Sequence, residues 1–221
     1  MFNRLKKLFG QKPPSLPEVY DEVAAREWYE HKSLIMEKTM GKQHNIVMHA
    51  IIPYAVGGGL DLYYYPNGIL GTGIATMELS ELPNKGSSNS VFSCYELVMF
   101  TKVPLMLDDA KKPETAFGKA HSNLNSILNV AAPFSATAKL NPHDTCEFPA
   151  DMRTVGGKCL IFDDYGQFGK NPPTDFGILV AIEIFRSEMD FARKIGGEQL
   201  IQLLKEAGHY PYSDLEREPV A

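Results

Sequence analysis

The stretch from Gly57 to Ser80, GGGLDLYYYPNGILGTGIATMELS, restricts the fold more than any other part of the chain. It gathers six of the eighteen glycines and three consecutive tyrosines. A phosphate-binding loop needs a strand, a tight glycine turn, and then a helix whose free N–H groups face the anion. Here both glycine clusters run into strand-like sequence, and no Gly-Lys-Ser/Thr follows either one. The context that gives such a loop its chemistry is missing. Leu60, Leu62 and Tyr64 alternate instead with Asp61, Tyr63 and Tyr65, the period of two that marks a strand. Pro66-Asn67-Gly68 supplies a turn, and Leu70 to Leu79 reads as the return strand.

The flanks extend this reading. A polar-rich helix is expected after Pro17, with Val19, Val23, Trp28 and Leu34 to Met36 as its buried stripe and Gly41 at its end. HNIVMHAII suggests a strand ending at Pro53, and FSCYELVMF another. From Glu114, Phe117, Ala120, Leu124, Ile127, Leu128 and Ala131 recur at spacings of three and four, which predicts a long helix. Asn141 to Ala150 is irregular by composition. Lys158 to Phe162 and Gly177 to Phe185 read as strands, the second nearly all apolar and so central. Ser187-Glu188-Met189-Asp190 resembles a capping box opening a helix that Gly196-Gly197 interrupts. Adjacent strands, then a helix, then strands, then a helix define an α+β fold, an α/β sandwich with a mixed, mainly antiparallel central sheet flanked by helices. The expected organisation is a flexible basic segment over 1–16, a single domain over 17–209, and a loose polar tail over 210–221.

The charge excludes some functions. A net charge of −5 with no long basic block leaves no footprint for a nucleic-acid phosphate track. Cys94, Cys146 and Cys159 are widely spaced, which argues against a disulfide scaffold or structural zinc and for a reducing, cytoplasmic setting. In MFNRLKKLFG, Phe2, Leu5, Leu8 and Phe9 share a helical face, enough for weak peripheral membrane contact through residues 1–9 but not for insertion.

Catalytic signals are sparse. His143-Asp144-Thr145-Cys146 brings together an imidazole, a carboxylate and a thiol, but nothing in the spacing supplies a third group to orient a base. Asp61 and Glu96 lie on neighbouring predicted strands, where a half-buried carboxylate must find hydrogen-bond partners or shift its pKa. With His143 they define the enzymatic alternative: a pocket of a small-ligand binder or hydrolase-like enzyme. Asp163-Asp164 is a further oxygen pair, read as a strand-ending turn. No cofactor or metal is implied.

The order of the signals resembles the suppressor-of-fused family. Asp61 to Pro66 is an aspartate-bearing strand ending at proline, Gly71-Thr72-Gly73-Ile74-Ala75 follows it, and Tyr95-Glu96-Leu97-Val98-Met99 follows a polar loop. The family pattern has an Ala-Glu-Leu-like strand in the last position, and serine is common where this chain has Ala75. The resemblance is most specific over about 45–100. It implies a domain without catalytic chemistry, similar to the first domain of animal suppressor of fused. In the animal protein a peptide of a Gli transcription factor adds as a strand between two domains; with one domain, that binding does not carry over. Single-domain bacterial relatives are associated with toxin–immunity loci, which implies an immunity or sequestering protein that neutralises a partner such as a toxin domain. Tyr63, Tyr65 and Tyr95 are then the candidate protein-binding anchors, because aromatics dominate interface energetics.

Overall fold

The computed structural model describes residues 22–81, 86–166 and 175–221. The basic segment, the first residues of the helix expected after Pro17, and the membrane contact expected of residues 1–9 lie outside them. The described strands are β1 (Val47–Met48), β2 (Leu62–Tyr65), β3 (Thr72–Ala75), β4 (Tyr95–Thr101), β5 (Thr145–Glu147), β6 (Cys159–Asp164) and β7 (Gly177–Ile184). They form one sheet in the order β1-β2-β3-β4-β7-β6-β5. Every pairing is antiparallel except β4 with β7, which run parallel from Tyr95↔Gly177 to Val98↔Val180. The sheet is therefore two antiparallel halves joined at one parallel seam, in an α+β architecture.

Among the described residues four α-helices cover it: α1 (Glu22–Met40), α2 (Ala116–Ser135), α3 (Arg186–Ile195) and α4 (Gly197–Glu206). The period-two strands divide their side chains between two cores. Tyr63, Tyr65, Val98, Phe100 and Val180 pack with Trp28, Met36 and Met40 of α1 and with Met189, Leu200 and Leu204 of α3 and α4. Leu62, Tyr64, Tyr95, Leu97 and Leu179 pack with Phe117, Leu124, Ile127 and Leu128 of α2. Each such side chain withdrawn from water stabilises the fold by about 1.5–3 kcal/mol. Thr115 caps α2, accepting the Gly118 N–H at 3.0 Å. At the β2–β3 turn a side chain on Gly68 would collide with the Met40 carbonyl, so the end of α1 closes on the turn only with glycine there.

The structure corrects several expectations. The strand expected up to Pro53 shrinks to Val47–Met48, and Ile51 and Ile52 emerge into solvent. The irregular stretch after Asn141 contains the edge strand β5, paired with β6 through Cys146↔Leu160. On α1 the buried stripe is Trp28, Lys32, Met36 and Met40, while Val23 and Leu34 are exposed. The spacing of four is helical; a lysine simply occupies one of its apolar positions. Helix α3 opens at Arg186, and Glu188 reaches back to accept the Phe185 N–H at 2.9 Å, half of a capping box. The polar tail is docked: Tyr212 and Ser213 are buried, and Arg217 pairs with the buried Glu188.

Candidate functional site

Glu96 faces α1 at the middle of the sheet and is completely buried. Its Oε1 accepts from Lys32 Nζ at 3.0 Å, the Ser80 N–H at 3.0 Å and the Ser80 hydroxyl at 2.6 Å. Its Oε2 accepts from the Thr76 hydroxyl at 2.6 Å and the Leu79 N–H at 3.1 Å. Lys32 also donates to the Met77 carbonyl at 2.8 Å, and Trp28 Nε1 donates to the Ser80 carbonyl at 2.6 Å. The loop after β3 is thereby folded around one carboxylate. A buried charge is tolerable only when paired and hydrogen-bonded, and this one is saturated. It has no lone pair left for a substrate.

Asp61 stands at the start of β2 in a different setting. It accepts the Ala50 N–H at 2.9 Å and meets His49 Nδ1 at 2.6 Å, and its own N–H donates to Glu78 Oε2 at 2.7 Å. It lines a cavity of about 460 Å³ with Glu22, Glu78, Glu81, Tyr29 and Tyr63. Burial, then the neighbouring carboxylates of Asp61, Glu96 and Glu81, push the Glu78 pKa up against the opposing pull of the Asp61 N–H. Arg26 on the rim is engaged with Glu30 at 3.9 Å.

The loop from His49 to Gly59 is rooted on Asp61 through His49 and the Ala50 N–H, and its Tyr54 packs towards the α2 side of the sheet. It is closed on itself by backbone bonds: Gly58 N to Pro53 O at 3.0 Å, Gly59 N to Ile52 O at 3.0 Å, and Gly57 N to Tyr54 O at 2.9 Å. A side chain on Gly58 would collide with the Ile52 carbonyl, so glycine is what lets the loop fold back. Asn129 of α2 clamps its base, accepting the Leu60 N–H at 3.0 Å. On this braced scaffold Ile51 is 102% exposed, Ile52 58% and Val56 73%. Three exposed aliphatic side chains on one short loop are an informative surface, unlike isolated ones.

His143 belongs to neither place. It precedes β5 with a left-handed backbone (φ 69°) and meets Asp163 on β6, Nε2 to Oδ1 3.2 Å; Lys205 reaches the other Asp163 oxygen at 3.3 Å. None of the cavities described is lined by two of Asp61, Glu96 and His143. Cys146 sits beside Leu160 on β5–β6, and burial raises its thiol pKa, the opposite of nucleophile activation. Among the described residues no group of three His, Cys, Asp or Glu could hold a metal ion, and no helix is long and apolar enough to cross a membrane.

The tyrosines divide by the pleat. Tyr63 is 8% exposed and walls the acidic cavity. Tyr65 is buried on the same face, its hydroxyl donating to Gln43 Oε1 at 3.2 Å. Tyr95 is buried on the opposite face, against α2, where desolvation pushes its pKa up to about 12. The exposed loop was missed from sequence because its isoleucines continue the apolar pattern of β1; Pro53 and Gly57-Gly58-Gly59 mark where that pattern stops being a strand.

A single mixed sheet with helices on both faces and a saturated carboxylate at its centre defines an α+β domain with its polar surface chemistry outside the core. Solved structures give that class a narrower fold. A chain of the Sufu–Fu complex crystal structure is similar with a TM-score of 0.54 and 13% identity, covering 89% of this chain and 92% of that one. Drosophila Suppressor of Fused is similar with a TM-score of 0.50 and 14% identity over 83% of this chain and 47% of its own. The chain thus spans about half of the Drosophila protein's length and has the suppressor-of-fused fold. No family model and no curated protein matches its sequence.

Proposed function

We propose that this chain is a non-enzymatic protein-interaction domain that docks a partner through the 49–59 loop and the acidic cavity joined to it at Asp61. The observation that carries this reading is the braced display of Ile51, Ile52 and Val56. A loop backbone already braced before binding loses little entropy when a partner covers it. Asp61, which roots the loop, also lines a cavity of about 460 Å³ with three glutamates and two tyrosines. Of the two cations there, Lys32 is held by Glu96 and Arg26 stands at the rim, so the excess of carboxylates complements a basic side chain. The matching partner surface is an apolar pocket beside a lysine or arginine. Of the three anchor tyrosines, Tyr63 keeps that role as a wall of the cavity, while Tyr65 and Tyr95 serve the core. The saturation of Glu96 supports a non-catalytic reading over the pocket alternative.

The finer reading is a sequestering or immunity protein that binds and neutralises a partner such as a toxin domain. It draws on the suppressor-of-fused fold, whose solved relative is in complex with Fu. Affinity capture from native lysate tests both levels by comparing the native chain with Ile51→Asp/Val56→Asp. A stoichiometric protein retained by the native chain and lost by the variant is the expected result. Equal recovery by the two, or repeated recovery of nothing, sinks the proposal.

A further inference from the structure

Past Val98 and Val180 the two seam strands part, and Tyr212 and Ser213 enter between them, the rest of the segment to Ala221 running on towards the start of α3. Tyr212 bridges Phe100 in parallel, and the Ser213 N–H donates to the Phe100 carbonyl at 2.8 Å. On the β7 side the contact runs through a side chain: the Ser213 hydroxyl accepts the Glu183 N–H at 3.1 Å and donates to the Ala181 carbonyl at 3.4 Å. Asp214 accepts the Thr101 hydroxyl and the Lys102 N–H, each at 2.6 Å. Arg217 forks onto Glu188 at 2.6 and 2.8 Å. Without this segment the splayed ends of β4 and β7 would present an unpaired row of backbone donors and acceptors, a template for an added strand.

Two features distinguish a ligand cleft from solid core. A cavity of about 570 Å³ lies alongside, walled by Ser213, Asp214 and Glu216 on one side and by Lys119 and Asn123 of α2 on the other, so the segment fills its cleft only in part. Of the lysines that line the same cavity, Lys158 is paired with Glu183 at 2.6 Å, and Lys102 and Lys119 leave the wall facing Asp214 and Glu216 positive, the complement of an acidic strand. The cleft lies at the carboxyl ends of the one parallel pair among the described strands, where the strand order reverses.

We propose that the cleft between the carboxyl ends of β4 and β7 is a binding site for an extended peptide bearing an aromatic residue, a hydroxyl residue and an acid in succession, and that Pro211–Ala221 is its resident occupant. The resident segment pairs with β4 through one bridge and is otherwise held by the buried Tyr212 and by Ser213, Asp214 and Arg217, so binding requires it to open at a lower free energy than the sheet itself. An incoming segment of the same chemistry then pairs with β4 by strand addition. This site is separate from the 49–59 loop and stands without it.

The test uses the full chain, a full chain carrying Ser213→Ala and Asp214→Ala, and a fluorescent peptide of residues 211–221. The variant chain is expected to bind the peptide at least tenfold more tightly than the native chain, and a peptide with the same two substitutions to bind neither. No binding to a folded variant, or equal binding to both chains, overturns the proposal. Hydrogen exchange on the native chain gives a result that does not depend on the variant folding. Amides of 212–217 should exchange well ahead of those in 97–99 and 179–181; exchange of all three only together, at the rate of global unfolding, also overturns it.

Discussion

Glu96 and Glu188 are equally shut away from water, yet they are neutralised from different directions. Glu96 draws its donors from α1 and the loop after β3, elements sealed within one core. Glu188 takes one N–H from the start of its own helix, and the rest come from the segment laid over the cleft: the Arg217 guanidinium and the Val220 N–H. The first carboxylate is satisfied by structure that cannot move without unfolding the domain. The second depends on a strip that can lift and admit water as it goes. The same buried charge can therefore lock one region of a fold and merely latch another.

Substitutions break that comparison most sharply at Lys32. Lys32→Met leaves the Glu96 carboxylate buried beside an apolar side chain, and removing one partner of a buried pair costs about 3–5 kcal/mol. Urea denaturation should show that loss as cooperative, with all probes moving together. Arg217→Ala should cost less, about 1–3 kcal/mol, because Glu188 keeps two backbone donors and gains access to solvent. Its loss should be local, visible as faster exchange over 212–220 before any change in the sheet.

A titration distinguishes sealed interior from surface in another way. Burial pushes Tyr64 and Tyr95 up to about 12 from the ordinary 10.0. Their folded pKa values are raised, so the stability they contribute is fully present below pH 10 and is lost as pH rises towards 12. Tyrosinate absorbance should accordingly lag behind that of the unfolded chain and then rise with unfolding. On the acid side, burial lowers the pKa of His121, whose Nε2 lies 3.0 Å from the Tyr64 hydroxyl. That contribution is present above pH 6.5 and declines as pH falls through the folded value, which a Tm series in buffered solutions will show. The smallest stability effect belongs to the loop: Ile51→Asp should change unfolding free energy by no more than about 0.5 kcal/mol, as at other exposed positions.

Sequence patterning reveals some of these regions and hides others for physical reasons. β2, β4, β6 and β7 bury both faces or alternate cleanly, and α2 repeats its apolar residues at helical spacing, so all five are readable. β5 is not, because an edge strand of Thr145, Cys146 and Glu147 needs no apolar face. Lys32 looks like an ordinary solvated residue until Glu96, far away in sequence, is placed opposite it. The closing segment reads as loose because its attachments are polar and long-range, from Ser213 to Glu183 and from Arg217 to Glu188. Hydropathy records which residues leave water, but not which polar groups find each other.

The parallel seam has a consequence for synthesis. Tyr95 pairs with Gly177, so the inner rim of β4 waits for more than one-third of the chain to be translated before its neighbour arrives. At elongation rates of about 5–20 residues per second, that leaves an apolar, hydrogen-bond-hungry border uncovered for several seconds on every nascent chain. Crowded polysomes would bring such borders together, and cellular holding factors are the natural cover for them. The yield of properly assembled product should therefore respond to how fast the ribosome travels between α2 and β7, even when the finished domain is unchanged.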